Sequence, residues 1–210
     1  MLRLFVLAVC LFTMSLIVTA QAQEVENLAI NPSFEDKNDI VDDQWDPGWV
    51  TWGAENGLQS EVEFDTGDFV DGARSLKIIP VGAINWHFMV INQPIPLEKG
   101  DAHTASFWAK GKKVRPVTLK FKATDNSVDW AVTEFLLTSE WEEYHVTADA
   151  MNPLIKLEIW VSAFEVPLWL DFLNIYKGEY VEGVLPSGLT LAVQPGGKLA
   201  VKWAEIKAGR

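Results

Sequence analysis

The heptapeptide IKLEIWV, residues 155–161, decides the fold class because its apolar and polar residues alternate strictly. A period of two places the four aliphatic side chains on one face of a β-strand and Trp160 on the other, beside Lys156 and Glu158. A second heptapeptide, VTLKFKA over residues 117–123, repeats the pattern and places Lys120 on its polar face. Both segments are therefore predicted to be strands with one buried face.

Working outward, similar short runs bounded by turn residues predict further strands. They cover residues 61–64, 75–81, 86–93, 102–110, 132–138, 141–148 and 168–176. The pattern indicates no helix longer than three turns before Tyr180, and alternating βαβ units are therefore excluded. The sequence predicts an all-β protein, an antiparallel β-sandwich formed by residues 23–180.

The amino terminus has the features of a secretory leader. Arg3 precedes an apolar run, and Ala20-Gln21-Ala22 has the small-x-small form of a signal-peptidase site. We expect residues 1–22 to be a signal peptide, which predicts a secreted protein, extracellular or at the cell surface, with no stable membrane insertion after cleavage. A membrane anchor is the alternative, because the apolar run is near the lower length limit for spanning a bilayer.

Composition excludes several function classes. The chain is 49% hydrophobic and 22% charged, as in folded globular proteins, and its net charge of −12 argues against nucleic acid as a partner. The single cysteine, Cys10, lies in the predicted leader, so the mature chain would have no disulfide, thiolate metal site or cysteine nucleophile.

The carboxy-terminal segment, residues 181–210, is predicted to be an appendage. Glycine and proline interrupt its first part, and the last part, residues 198–210, is basic. It is interpreted either as a sorting or docking element or as a strap that packs on the sandwich.

Ten tryptophans give a physical reason to consider sugars, because aromatic rings pack against the flat C–H faces of pyranoses. Strand alternation places Trp108 and Trp160 on polar faces, and we expect one sugar-binding face that also bears Glu158 and Lys120. Segments with Trp86 and Trp130 would form its rims. The alternative is that a second layer or the tail covers this face.

Residues 35–53 form a long acidic connection that contains Trp45, Trp49 and Trp52. Connections of this length are often functional, which favours a ligand-binding loop. The alternative is that Trp45 or Trp49 closes one end of the sandwich.

Three stretches resemble a known family. They are NLAINPSFED at residues 27–36, PLEKG followed by TASFWAK within residues 96–110, and LWLDFLNIY at residues 168–176. In this order they are similar to the CenC-like carbohydrate-binding modules of families 4, 9 and 22. These modules are galactose-binding-like jelly rolls appended to bacterial cellulases and xylanases. The resemblance implies a non-catalytic module that binds polysaccharide or oligosaccharide, with a neighbouring glycoside hydrolase or a cell-surface component as a possible partner.

A structural calcium ion is the expected cofactor. In an antiparallel sandwich the first and last strands can be neighbours, which would bring Glu35 near Asp171, and a cation would relieve the repulsion between the two carboxylates. The resemblance implies the same site, with Asp71, Gly72 or Arg74 adding side-chain or backbone oxygen.

Two other function classes are weighed against a sugar-binding module. A glycoside hydrolase needs a pair of carboxylates, and Glu61, Glu63 and Asp65 share a strand face at admissible spacing, although a solvated strand face is the preferred explanation. A surface module that recognises protein is the third class, because an aromatic sheet face suits either ligand.

Overall fold

The computed structural model describes residues 25–36, 40–41, 47–53, 60–82, 84–162 and 164–181. The predicted leader, residues 1–22, and the tail beyond residue 181 lie outside the described residues. The described part has no helix with the length and apolar character needed to cross a bilayer. Its eleven strands are β1 (Ile40–Val41), β2 (Gly48–Trp52), β3 (Glu61–Asp65), β4 (Ser75–Ile79), β5 (Met89–Pro96), β6 (Ala102–Gly111), β7 (Arg115–Ala123), β8 (Asp129–Leu137), β9 (Glu142–Asp149), β10 (Leu154–Trp160) and β11 (Leu168–Lys177).

The strands form two sheets, which confirms the predicted sandwich. One sheet has six strands in the order β1-β2-β5-β10-β7-β8, and the other has five in the order β3-β4-β11-β6-β9. Every pair of neighbours is antiparallel except β1 and β2, which are parallel.

The core lies between the sheets and follows the alternation seen in the sequence. On β10 and β7, Leu157 and Leu119 are fully buried in the core, whereas Lys156 and Glu158 lie on the outer face. On β6, Phe107 belongs to the same core. Burying a large aliphatic or aromatic side chain contributes about 1.5–3 kcal/mol, so the alternation fixes which face of each strand turns inward.

The opening segment lies beside the closing strand, as expected for the first and last parts of such a sandwich. The Leu28 amide donates to the Ile175 carbonyl oxygen at 2.7 Å, and the Leu173 amide donates to the Pro32 carbonyl oxygen at 2.8 Å. This pairing brings the NPSFE stretch to the end of the sheet where Asp171 lies.

The connection over residues 35–53 differs from the prediction because it contains strand β2. Trp49 is 1% exposed, packs against Phe34 with ring centroids 4.5 Å apart, and donates its indole N–H to the Asn31 carbonyl oxygen at 2.8 Å. Trp49 is thus a core residue, and a ligand contact through it is ruled out. Trp45 lies outside the described residues.

Another local difference occurs at residues 86–93, where the sequence predicts one strand. Asn85–His87 form a 3₁₀ turn, and β5 begins only at Met89. The turn lifts Trp86 out of the strand and places it at the border of the six-stranded sheet.

Candidate functional site

The outer surface of the six-stranded sheet, called here the six-strand face, has an aromatic half. Val50, Met89 and Ile91 are buried there in a small apolar cluster that is separate from the core between the sheets. Three partly buried tryptophans pack against this cluster: Trp52, Trp86 and Trp160. Apolar clusters on the outer surface of a sheet are common at ligand-binding sites, which makes this surface the candidate site.

Strand register explains how these side chains meet. Trp52 on β2 is opposite Met89 on β5, and Met89 is opposite Trp160 on β10. Trp86 enters from the 3₁₀ turn, and its ring centroid lies 6.4 Å from that of Trp52. The half-exposed rings therefore form a short aromatic row across three neighbouring strands.

The same face has a charged half around Glu158, which is 2% exposed. One carboxylate oxygen of Glu158 accepts the Trp160 indole N–H at 3.0 Å and lies 3.2 Å from the Lys120 ammonium. Lys120 is also buried, and it donates to Asp129 at 2.7 Å. Its ammonium lies 4.2 Å from the Trp160 ring centroid, so a cation–π contact joins the charged half to the aromatic half.

Two more lysines surround the second oxygen of Glu158. The ammonium groups of Lys122 and Lys156 lie 3.8 and 3.6 Å from it. Burial lowers the pKa of Lys156, the nearby Glu158 opposes that shift, and the neighbouring Lys122 adds to it. The sheet therefore holds three ammonium groups around one buried carboxylate.

Trp108 does not lie on this face, which corrects the expectation that it shares a surface with Trp160. It is on β6 in the five-stranded sheet, where its neighbours across the strands are Asp171 and Glu143. Alternation was right about its outward direction, but it could not assign the strand to a sheet.

Trp108 belongs to a second aromatic surface, the outer surface of the five-stranded sheet, called here the five-strand face. Trp169 donates its indole N–H to Asp65 at 2.8 Å, and Trp141 donates to Asp68 at 2.8 Å. Lys110 pairs with Asp68, and its ammonium lies 5.0 Å from the centroid of the Trp169 ring. The end of β3 therefore accepts one indole N–H, and the chain between β3 and β4 accepts the other.

Trp130 is also misplaced by the sequence prediction, which puts it at the rim of the sugar-binding face. It is 7% exposed and packs edge-on against Phe121 in the core, with ring centroids 5.8 Å apart. A register shift in the pairing of β7 with β8 aligns Trp130 with Phe121, and Ala131 has φ +53°. The irregularity moves Trp130 onto the inward face, which simple alternation does not foresee.

The residues expected to hold calcium meet at one corner of the five-strand face. Asp171 is 1% exposed and accepts the amide N–H groups of Val70, Asp71 and Phe172 at 2.7, 3.0 and 2.8 Å. Asp71 is buried beside it and accepts the Ser33 hydroxyl at 2.6 Å. Burial raises the pKa of the Asp171 carboxyl to about 7, and the Asp71 carboxylate adds to the rise.

Glu35, Gly72 and Arg74 complete this corner. The Glu35 carboxylate accepts a hydrogen bond from the Ala73 amide at 2.9 Å. Gly72 has φ +67°, and the Glu35 carboxylate occupies the space that a side chain at position 72 would need. Arg74 donates to the Phe34 carbonyl oxygen at 2.6 Å and also to the Glu35 carbonyl oxygen.

The charge of this corner favours a bound cation, but the arrangement of its side chains does not form a metal site by itself. Asp71 and Asp171 are buried, and neither forms an ion pair within the described residues. In the same residues, however, no three His, Cys, Asp or Glu side chains form a group that could hold a metal. Backbone oxygens would have to complete the ligand set, which calcium accepts. Calcium binding here stays a prediction.

Two of the three carboxylates weighed for hydrolysis have structural partners, and the third, Glu61, is exposed. Glu63 pairs with Lys77, and Asp65 accepts the Trp169 indole N–H. That hydrogen bond is the main cause of the lowered pKa of Asp65. Glu63 and Asp65 therefore act as contacts of the five-strand face.

Sequence reasoning missed the apolar floor of the six-strand face, Val50, Met89 and Ile91, and it missed Trp52 as a member. A signal was present, because V-x-W at residues 50–52 and M-x-I at residues 89–91 alternate as strands do. Residues 50–52 follow Pro47 and Gly48, which indicated a loop, whereas residues 89–91 were within the predicted strand 86–93 but their place beside β2 was not foreseen.

Comparisons with known proteins agree with this geometry. A model of the family described as Carbohydrate binding domain, CBM4/9, matches residues 26–151. A solved structure titled "CBM4 structure and function" is 20% identical and has a TM-score of 0.57, and the match covers 71% of this chain and 99% of that one. No curated protein matches the chain in sequence.

Two further solved structures share the fold. A putative sugar binding protein from Bacteroides thetaiotaomicron is 13% identical with a TM-score of 0.58, and the match covers 73% of this chain and all of that one. The CBM22-1–GH10 part of Clostridium thermocellum xylanase 10B, solved with xylohexaose, is 14% identical with a TM-score of 0.50. That match covers 72% of this chain and 29% of the xylanase chain. The family model spans more than half of the present sequence, and the chain therefore belongs to the CBM4/9 carbohydrate binding domain family.

Proposed function

We propose that this protein is a secreted, non-catalytic module that binds a polysaccharide on its six-strand face. The observation that carries the proposal is the aromatic half of that face, where Trp52, Trp86 and Trp160 stand around a buried apolar floor outside the main core. Half-exposed indole rings give sugar C–H faces a surface on which to stack.

The charged half supplies hydrogen-bond partners for the sugar hydroxyl groups, which stacking on indole rings does not. Hydroxyl groups need hydrogen-bond partners once they leave water, and Lys122, Lys156 and Asp129 are partly exposed on the same face. An apolar platform bordered by a few polar groups is the common design of small-ligand and sugar sites.

Relatives support the ligand class. The CBM22-1–GH10 protein from Clostridium thermocellum was solved with xylohexaose, and a CBM61 module was solved with β-1,4-galactotriose. By extension, a neighbouring glycoside hydrolase or a cell-surface component is the proposed setting in which this module works.

A glycan array of xylans, β-glucans and mannans tests the proposal, with hydrolysis products measured in parallel. We expect binding without turnover. Replacement of Trp160 or Trp86 by Ala should weaken binding by about 1–3 kcal/mol while unfolding stays cooperative.

Trp108→Ala is the matched control, because it removes an indole from the opposite sheet and should leave the Kd unchanged. Turnover of any glycan would favour the hydrolase class. A folded protein that binds no glycan on the array would favour a module that recognises protein.

A further inference from the structure

Lysines are concentrated on the six-strand face of a chain whose net charge is −12. Lys120 and Lys122 on β7 and Lys156 on β10 point to the same side of adjacent strands. All three lie within 4 Å of Glu158. On an acidic protein this local group of cations requires an explanation.

Protein acceptors use only part of the donor capacity of these lysines. The Lys120 ammonium bonds to Asp129 at 2.7 Å. Lys122 is 3.8 Å from Glu158 and 3.9 Å from Asp129, and Lys156 is 3.6 Å from Glu158. These separations exceed the usual N–H···O range, so both ammonium groups keep their donors available relative to the described residues.

Strand register adds a repulsion that Glu158, 3.8 and 3.6 Å from the two ammonium groups, only partly offsets. Lys156 is directly opposite Lys122 in the antiparallel pairing of β10 with β7. Like charges directly opposite each other destabilise a sheet. An anion placed between the two ammonium groups would turn this repulsion into attraction.

The carboxylates of the face fill that role only in part, because Glu158 and Asp129 lie 3.6–3.9 Å from these two ammonium groups, beyond the usual hydrogen-bond range. Glu158 is buried under the lysines and shares its other oxygen with Trp160 and Lys120. The Asp129 side chain is 42% exposed and bonds Lys120. Glu134, on the same face, is exposed and lies opposite Thr118, and it forms no ion pair with the three lysines.

We propose that the glycan bound on the six-strand face is anionic, and that Lys122 and Lys156 bind its carboxylate or sulfate groups. The inference rests on the proposed function, because it names the ligand class of the same site. Lys156 lies four residues from Trp160 along β10, about 13 Å in a strand. The sugar that carries the charge is therefore a different residue of the polysaccharide from the one stacked on Trp160.

Titration calorimetry with ligand pairs that differ only in charge tests this proposal. The probes are glucuronoxylan, polygalacturonate and a sulfated xylan, with carboxyl-reduced or desulfated forms as neutral partners. A charge-assisted hydrogen bond lost from the complex costs about tenfold in affinity or more. We expect at least one anionic probe to bind about tenfold more tightly than its neutral partner, and we expect added salt to reduce the difference. Comparison of the uronate and sulfate probes identifies the source of the anion.

Lys122→Gln and Lys156→Gln should each remove most of the advantage of the anionic probe and lower the affinity for its neutral partner much less, because the glutamine amide still donates a hydrogen bond to a hydroxyl group. Lys113→Gln is the matched control, since Lys113 is exposed on the turn between β6 and β7. Melting temperatures of all three variants show whether they fold.

Equal affinity for charged and neutral partners would overturn the proposal and leave the sugar-binding function in place. An equal loss in Lys113→Gln would also overturn it, because the effect would then come from overall charge. If neither member of any pair binds, and the neutral glycans of the array do not bind either, the proposed function fails and this inference fails with it.

Discussion

The two outer faces of the sandwich have similar composition and different hydrogen-bond acceptors for their indole groups. The six-strand face carries Trp52, Trp86 and Trp160, and the five-strand face carries Trp108, Trp141 and Trp169. Each face also holds lysines within cation–π distance of an indole ring. Tryptophan and lysine content therefore does not show which face binds a ligand.

The difference lies in the origin of the hydrogen-bond acceptors. On the six-strand face, Glu158 lies on β10, two residues from Trp160, and accepts the indole N–H of Trp160. On the five-strand face, Asp65 is the last residue of edge strand β3 and Asp68 lies in the loop after it, and they accept the indole N–H groups of Trp169 and Trp141. We propose that the indoles of the six-strand face bind a ligand, whereas those of the five-strand face hold the end of β3 and the loop after it.

The largest effect is expected from Lys120→Met, which removes the closest cation from buried Glu158. Removing one partner of a buried ion pair leaves an uncompensated charge and typically costs 3–5 kcal/mol. Because Lys122 and Lys156 remain near Glu158, we expect a loss of about 3 kcal/mol in the free energy of unfolding. Urea denaturation monitored by tryptophan fluorescence measures it.

The double variant Lys120→Met/Glu158→Gln should be more stable than the single variant, because it removes the stranded charge. If the losses in the free energy of unfolding of Lys120→Met and of Glu158→Gln add up to the loss in the double variant, then Lys120 and Glu158 do not act as a unit.

Trp169→Ala tests the five-strand face in the same way. It removes the hydrogen bond to Asp65 and the packing surface between Lys77 and Lys110, whose ammonium groups lie 5.8 and 5.0 Å from the ring centroid. We expect a loss of about 2 kcal/mol in stability and no change in glycan Kd. This is the opposite of the pattern expected for Trp160→Ala. A weaker Kd in folded Trp169→Ala would place ligand on the five-strand face.

The sequence predicted the parts of this comparison that depend on period alone. Alternation over residues 155–161 placed Trp160, Lys156 and Glu158 on one outer face, as the structure confirms. The same rule predicted that Trp108 points outward, but both sheets have an outer face, and only the strand order separates β6 from β10.

Irregular backbone explains the other errors. Trp130 turns inward because the pairing of β8 with β7 shifts at a residue with positive φ, which period-two counting cannot detect. Strand β2 was hidden among Gly and Pro residues, and with it the place of Trp52 on the six-strand face. Long-range pairing with β5 forms that strand, and local sequence does not encode such pairing.

The predicted calcium ion would hold the loop after β3 in place, and this loop lies on the five-strand face alone. A ligand that binds only the native state stabilises it by about 1.4 kcal/mol when its free concentration is about ten times Kd. We therefore expect EDTA to lower the melting temperature by about 3–6 °C and added calcium to restore it. Asp171→Asn should melt at the same temperature in EDTA and in calcium. Unchanged melting of the natural chain under both treatments, with no metal in the purified protein, would contradict the prediction.

The smallest effect is expected from Asp68→Asn, which changes one loop contact of the five-strand face. The Asp68 side chain is 40% exposed, and pairs of this kind contribute about 1 kcal/mol or less. An asparagine oxygen still accepts the Trp141 indole N–H, so only the ion pair with Lys110 is lost.

The amides of Val70 and Asp71 should nevertheless exchange with solvent faster, because the loop that holds them on Asp171 opens more often. Hydrogen exchange measured by mass spectrometry on the peptide over residues 66–74 detects this change, and glycan Kd should stay the same. Lys113→Gln, which alters an exposed charge elsewhere, should not change the exchange of this peptide. If exchange stays slow in Asp68→Asn while glycan binding weakens, then the loop does not act as the cover of this face, and the distinction between the two faces is wrong.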